Sequence, residues 1–269
     1  VKIGKSADDG QQFTNGVRGS DIRSEQTQYQ WQNDLKLPIG TALLAAERVE
    51  QSVSGNVNYV LKERSINSYL AGWTGNLSDH RLQLNVRKDD NSQFGIKTTG
   101  MLAYGYQFSS SWRGNLSYGT GFKAPTFNDM YWPGSGNPDL KPETSENREG
   151  SIHYETTSQH ASVTYYHNDV RNLIEWAPNS SGLWMPSNVA RATLSGWTLA
   201  YSGQLDSYKL SASLDLQDPE DTDQQKVLRY RARQIAKLGL SKDFGAFNIG
   251  GEILGSGRRY NDAGNTQEL

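Results

Sequence analysis

The sequence predicts an antiparallel transmembrane β-barrel. Three observations carry that expectation: side chains alternate between apolar and polar over many segments, connections alternate between short and long, and aromatic rings stand beside the short ones. In the segment from Tyr208, Leu210, Ala212, Leu214 and Leu216 share one face, and Lys209, Ser211, Ser213, Asp215 and Gln217 the other. Leu82, Leu84 and Val86 likewise oppose Arg81, Gln83, Asn85 and Arg87. Trp112, Leu116, Tyr118 and Phe122 oppose Arg113, Asn115, Ser117 and Gly119, while Trp197, Leu199, Tyr201 and Leu205 oppose Thr198, Ala200, Ser202 and Gln204. Successive strand side chains point to opposite faces, so each segment has one face for an apolar medium and one for a polar medium.

About thirteen such segments are expected, most near ten residues, which is enough for a tilted strand to cross a bilayer. They centre on 2–8, 23–36, 41–53, 65–77, 81–89, 98–108, 112–122, 146–156, 161–170, 189–205, 208–217, 229–243 and 247–258. Short turns are expected at 38–40, 77–80, 109–111, 157–159, 206–207 and 245–246, and long loops around 9–22, 51–65, 88–97, 122–147, 168–190 and 217–229. Phe108 with Trp112, Tyr201 with Tyr208, and Phe244 with Phe247 bracket three of the short turns, as rings at a membrane–water boundary would. A soluble β-sandwich also alternates, but it does not need so many long loops at one end.

Composition agrees with this class. Mean hydropathy is −0.72, and no apolar run approaches the ~18 residues of a membrane helix. Barrel strands show lipid only every second side chain, so low average hydropathy is what they produce. The 27 basic and 29 acidic residues nearly cancel, which gives no electrostatic case for nucleic acid. There is no Cys, hence no disulfide framework. Arg81, Arg87, Arg113, Lys209, Asp215, Arg231, Arg233, Lys237 and Glu252 are expected to line a lumen that holds water or a polar body. The four His show no metal-ligand spacing, and neither a G-x-S-x-G nor a P-loop motif is present, so an enzyme is not expected.

Segment 117–147 reads SYGTGFKAPTFNDMYWPGSGNPDLKPETSEN. Pro125, Pro138 and Pro142 cannot donate to a ladder, so this stretch is loop, and Asn137-Pro138 favours a turn start. The two blocks Phe122-Lys123-Ala124-Pro125-Thr126 and Gly136-Asn137-Pro138-Asp139-Leu140-Lys141-Pro142-Glu143 resemble the barrel signature of TonB-dependent outer-membrane receptors. Segments 89–95, 168–174 and 188–192 are similar to the cobalamin transporters within that family. Where the family usually has Gly-x-Glu, this chain has Gly196-Trp197-Thr198.

The resemblance implies a bacterial outer-membrane location among phospholipid and lipopolysaccharide. It implies a barrel of about 22 strands, of which this chain supplies about thirteen. It also implies an N-terminal plug and a TonB box that recruits the TonB complex, neither recognisable in 1–269. The chain opens at Val1 with no basic n-region or apolar h-region, so either a signal peptide has been removed or the chain is an internal piece. The expected function is TonB-dependent uptake of cobalamin or another corrinoid. The alternatives are a ferric siderophore or haem receptor, or a non-transporting barrel such as an outer-membrane enzyme or adhesin.

Amphipathic rings and hydrogen-bonding groups in the long loops are the ligand candidates: Tyr59, Tyr131, Trp132, Trp176, Trp184 and Tyr260, with Asn56, Asn58, Arg229, Arg231 and Arg259. The cobalamin-transporter likeness further implies calcium in the early loops. Asp8, Asp9 and Asp21 are the candidate carboxylates, in the expected loop 9–22 and at its edge.

Overall fold

A computed structural model describes the backbone of residues 1–269 and every side chain except that of Ala190. Ala190 belongs to segment 188–192, so that part of the resemblance lies outside the described side chains. The long strands are β1 (Lys2–Thr14), β2 (Val17–Leu37), β3 (Gly40–Gly55), β4 (Glu63–Leu77), β5 (His80–Asn91), β6 (Gly95–Gln107) and β7 (Trp112–Lys123). After a five-residue helix, α1 (Phe127–Tyr131), follow β8 (Glu143–Glu155), β9 (Gln159–Pro178), β10 (Trp184–Leu205) and β11 (Tyr208–Asp221). The chain continues through the two-residue β12 (Lys226–Val227), β13 (Gln234–Asp243) and β14 (Asn248–Ser256). All belong to one 14-stranded sheet in which each long strand pairs with its sequence neighbour, and β12 pairs only with β11. Among the described residues β1 and β14 do not pair with each other, so the sheet is an open wall.

The register carries the two-face pattern from strand to strand. Between β4 and β5, Trp73 opposes Leu84, Gly75 opposes Leu82 and Leu77 opposes His80. From β5 to β6, Leu84 opposes Leu102 and Leu82 opposes Tyr104. From β6 to β7, Leu102 opposes Tyr118 and Tyr104 opposes Leu116. These side chains form one continuous apolar face, and Leu84, Leu102 and Leu116 are all exposed on it. In water such a face would aggregate; in a bilayer it is the required surface. A strand tilted by about 45° needs roughly ten residues to cross the hydrocarbon layer, and the long strands here reach about that length or more.

Rings mark both rims. Phe108, Trp112, Phe244 and Phe247 stand exposed beside the short turns. Tyr106 meets Phe108 edge-on at 5.0 Å, and Trp112 lies 4.9 Å from Tyr154. At the far rim Tyr165 packs 5.0 Å from Trp197. The turns are held tight by local chemistry. Gly40 opens β3 at φ +128, and a Cβ there would lie 2.3 Å from the Thr74 carbonyl oxygen.

The opposite face is polar and bonded within the wall. Arg87 donates to Glu47 and to Asp89, each at 2.8 Å, tying β3 to β5. Lys237 pairs with Glu252 at 3.0 Å. Thr198, standing where the family pattern has an acid, donates to Asp215 of the next strand at 2.7 Å.

Several boundaries differ from the sequence expectation, and the cause is shared. Beyond the rim the outward face turns polar as well, so the period-two signal fades although the strands continue. Region 9–22 is not a loop but a hairpin, turning at Asn15 (φ 50) and Gly16 (φ 78), which are both left-handed. Asp8, Asp9 and Asp21 therefore sit in β1 and β2, not in a loop. Region 88–97 shrinks to a three-residue turn at 92–94, where the Asn91 side-chain oxygen accepts from the Gln93 and Phe94 N–H groups. Regions 168–190 and 217–229 shrink in the same way, because β9 runs to Pro178 and β11 to Asp221. In the other direction, the segment expected at 229–243 starts only at Gln234. Arg231 and Arg233 thus precede the strand; Arg231 stays within electrostatic reach of Tyr166 and Asp215 on the inner face, whereas Arg233 pairs at 3.0 Å with Asp218, an outward position opposite Ser195, and so does not line the lumen.

Candidate functional site

The genuinely long connection, 124–142, lies across the end of the wall opposite the short turns, and α1 is its centre. The pattern Thr126-x-x-Asp129 builds a capping box. The Thr126 hydroxyl accepts from the Asp129 N–H, and the Asp129 carboxylate accepts from the Thr126 N–H. Asp129 also accepts from the Trp176 indole N–H at 2.8 Å, which fixes α1 to β9.

The second signature block is clamped on the same side. Asn137 donates to the Pro186 carbonyl at 3.1 Å and accepts from the Asp139 N–H, while Pro138 stays exposed. Leu140 is buried. The Pro142 carbonyl accepts from Asn172. Glu143, 9% exposed, accepts from Lys123 at 2.9 Å and from the Ile174 N–H at 3.1 Å. In the first block, Phe122 and Ala124 are half-buried, and the Pro125 carbonyl accepts from Arg64 at 2.8 Å. The block is therefore a braced structural loop.

The candidate ligand residues fall into two groups. Asn56 is occupied with the backbone, accepting from the Asp21 N–H and donating to the Gly19 carbonyl. Tyr59 is buried with its hydroxyl bonded to Asn128, and burial pushes that hydroxyl's pKa up. Tyr131 accepts from Gln93 at 2.8 Å, and Trp176 is held by Asp129. Arg229 is buried, donates to Glu175 at 2.8 Å and also to the Trp176 carbonyl. These five are taken up by protein partners in the loop end. Asn58, Trp184, Arg231 and Arg259 are exposed, and Trp132 and Tyr260 are half-buried. The Trp184 ring lies 5.5 Å from the Arg229 guanidinium, so its free face is the open one. Tyr260 is positioned through its carbonyl, which accepts from the Tyr230 N–H at 2.9 Å.

The calcium candidates do not form a donor set. Asp9 is paired with Arg23 at 2.8 Å and Asp21 with Arg18. Asp8, its register partner being Ser24, points to the other face of the sheet from Asp9. Calcium needs several oxygens converging on one point, and among the described residues no three His, Cys, Asp or Glu converge on a metal position.

Sequence reasoning missed Arg64, Gln93, Asn128 and Asp129. The Thr126-x-x-Asp129 spacing was a legible helix start; the other three carried no local signal, because their partners lie far away in the chain.

A family model described as TonB dependent receptor-like, beta-barrel matches residues 4–269. The chain belongs to that family. Family members are outer-membrane proteins, so the apolar band described above faces the outer-membrane interior. The Vitamin B12 transporter BtuB of Photobacterium profundum is 34% identical over 273 residues, covering 99% of this chain and 45% of that protein. The Vitamin B12 transporter BtuB of Vibrio vulnificus is 38% identical over 153 residues, 56% of this chain and 25% of that protein. The chain thus spans about half or less of the curated relatives it matches. Among solved structures, the ferric enterobactin receptor PfeA of Pseudomonas aeruginosa superposes with a TM-score of 0.76 at 18% identity, over 96% of this chain and 46% of that one. The siderophore receptor PirA of Acinetobacter baumannii gives 0.73 at 16% identity, over 96% and 46%. These two likenesses speak for the fold alone.

One solution property of the loop end follows from its geometry. Asp262 caps the segment after β14, accepting from the Gln267 and Thr266 N–H groups, and those bonds hold its carboxyl below the usual range. A depressed carboxyl stabilises the folded turn above the unfolded pKa, and that contribution is lost as pH falls through the folded value. Amide exchange at Thr266 and Gln267, corrected for intrinsic rate, is expected to accelerate on acidification below the ordinary carboxylate pKa. Asp262→Asn should flatten that dependence. An equal pH response in the variant refutes the assignment.

Proposed function

We propose that this chain is the wall portion of a longer receptor that takes up cobalamin or another corrinoid across the outer membrane, driven by the TonB complex. The observation that supports the ligand class is the 34% identity to a vitamin B12 transporter along 99% of the chain. The geometry is compatible: exposed Trp184 and half-buried Trp132 and Tyr260 offer flat apolar surface, and exposed Asn58, Arg231 and Arg259 offer donors in the loop segments. On this reading the barrel supplies wall and selectivity and performs no covalent chemistry. Ferric siderophore uptake is the second reading, favoured only by the fold of the solved receptors.

Cyanocobalamin binding to the full-length parent, measured by equilibrium titration, tests the first reading. Saturable binding is expected, and replacing Trp184 or Tyr260 by Ala should weaken it by roughly tenfold. No saturable binding, with a ferric catecholate binding instead, establishes the second reading.

A further inference from the structure

The ladder between β6 and β7 stops half-way. It runs from Gln107↔Arg113 to Met101↔Gly119 and ends there. Above that point β6 stays paired with β5 as far as Gly95↔Asn91, and β7 with β8 as far as Lys123↔Glu143. Among the described residues no ladder pair joins 95–100 to 120–123. One bond remains, from the Gly100 N–H to the Thr120 hydroxyl at 3.0 Å, and the Lys97 ammonium lies 5.8 Å from the Phe122 ring. A cleft of about 200 Å³ opens there, lined in part by Thr98, Thr120 and Phe122. The split begins at the rim of the apolar band, where Leu102 and Tyr118 are the last apolar outward pair still in the ladder. Within hydrocarbon such a gap would leave backbone groups unsatisfied; at headgroup height water satisfies them. Gly100, Gly119 and Gly121 border the gap and provide no cross-strand side-chain pairs to close it.

Among the described residues, the other side-chain hydrogen bonds and ring contacts across the split run through α1 and its leading residues. From the β1–β6 side, Tyr59 bonds to Asn128, Arg64 to the Pro125 carbonyl and Gln93 to Tyr131. Arg64 also lies 5.1 Å from the Phe127 ring. From the β7–β14 side, Trp176 holds Asp129 and the Pro186 carbonyl holds Asn137. We propose that α1 is a latch across a seam in the receptor wall: pulling α1 away lets the upper halves of β6 and β7 separate laterally at headgroup height while the ladder below stays shut. The inference does not depend on which ligand the receptor takes.

Backbone groups of a strand face alternate neighbours. Because the Gly100 N–H faces β7, the Thr98 N–H faces the seam, and by the same alternation so does that of Phe122. In the full-length receptor in phospholipid nanodiscs, both amides should exchange at least roughly tenfold faster than those of Leu102 and Tyr118. Equal protection means that the seam is closed and overturns the proposal. The latch itself is tested by spin-label distances between Thr98→Cys and Thr120→Cys, with Lys88→Cys and Thr98→Cys as a control across a paired ladder at the same height. Adding Gln93→Ala with Asn128→Ala should lengthen and broaden the first distribution and leave the control unchanged. An unchanged seam distance, or equal broadening of both pairs, shows that α1 does not hold the seam and refutes the latch.

Discussion

Leu84→Arg will lower the unfolding free energy of the parent receptor by about 2–4 kcal/mol, while Gln83→Arg, one position away, will leave it nearly unchanged. Leu84 is exposed on the outer face between Trp73 and Leu102, in the middle of the apolar band. A guanidinium there has only hydrocarbon around it and must snorkel to the rim or thin the bilayer. Gln83 opposes Thr74 and Ala103 on the inner face, where water and polar neighbours solvate an added charge. Urea titration of the receptor in lipid vesicles, followed by tryptophan emission, measures both variants. Equal costs at the two positions would mean that the two faces are not lipid and lumen, and the barrel assignment would fall.

Arg229→Met will detach the tip of the β9–β10 hairpin from the segment that precedes β13, at a cost of about 3 kcal/mol or more. The Arg229 side chain is 3% exposed, and its loss leaves Glu175, itself largely covered, without its cation. The Trp176 carbonyl loses a donor as well. Arg233→Met is the matched comparison, because its pair with Asp218 is more than half exposed on both sides. Solvent screening limits such a pair to about 1 kcal/mol at most. Limited proteolysis in segments 176–186 and 228–233 should accelerate strongly for the first variant and little for the second. Comparable rates for both would show that Arg229 is not a structural tie.

The barrel wall was legible because its physics is local. Leu82, Leu84 and Val86 alternate with Arg81, Gln83, Asn85 and Arg87 whatever the rest of the chain does, and the strand follows. Strand length was not legible where both faces are wet. β1 from Asp8 to Thr14 and β2 from Val17 to Thr27 carry polar groups on both sides, so period two vanishes while the ladder continues. The Asn15-Gly16 pair was a turn signal in plain view; its meaning was masked by the polar flanks. The candidate site was legible only as a region. Rings and arginines in loops can be named from sequence, but whether Arg229 faces a ligand or Glu175 depends on a partner 54 residues away. The seam was invisible to any reading of one strand at a time, since it is the absence of a pairing between two strands that each look regular.

The inner face has a consequence for how anything moves along it. Arg87, Lys209 and Lys237 are each matched by a carboxylate within the wall itself. Charges cancelled sideways leave little net field at those positions, while Arg81 and Arg113, in no ion pair among the described residues, keep theirs uncancelled. On the proposed uptake reading, the paired stretch acts as a lubricant: it stays hydrated and exchanges hydrogen bonds at nearly constant energy.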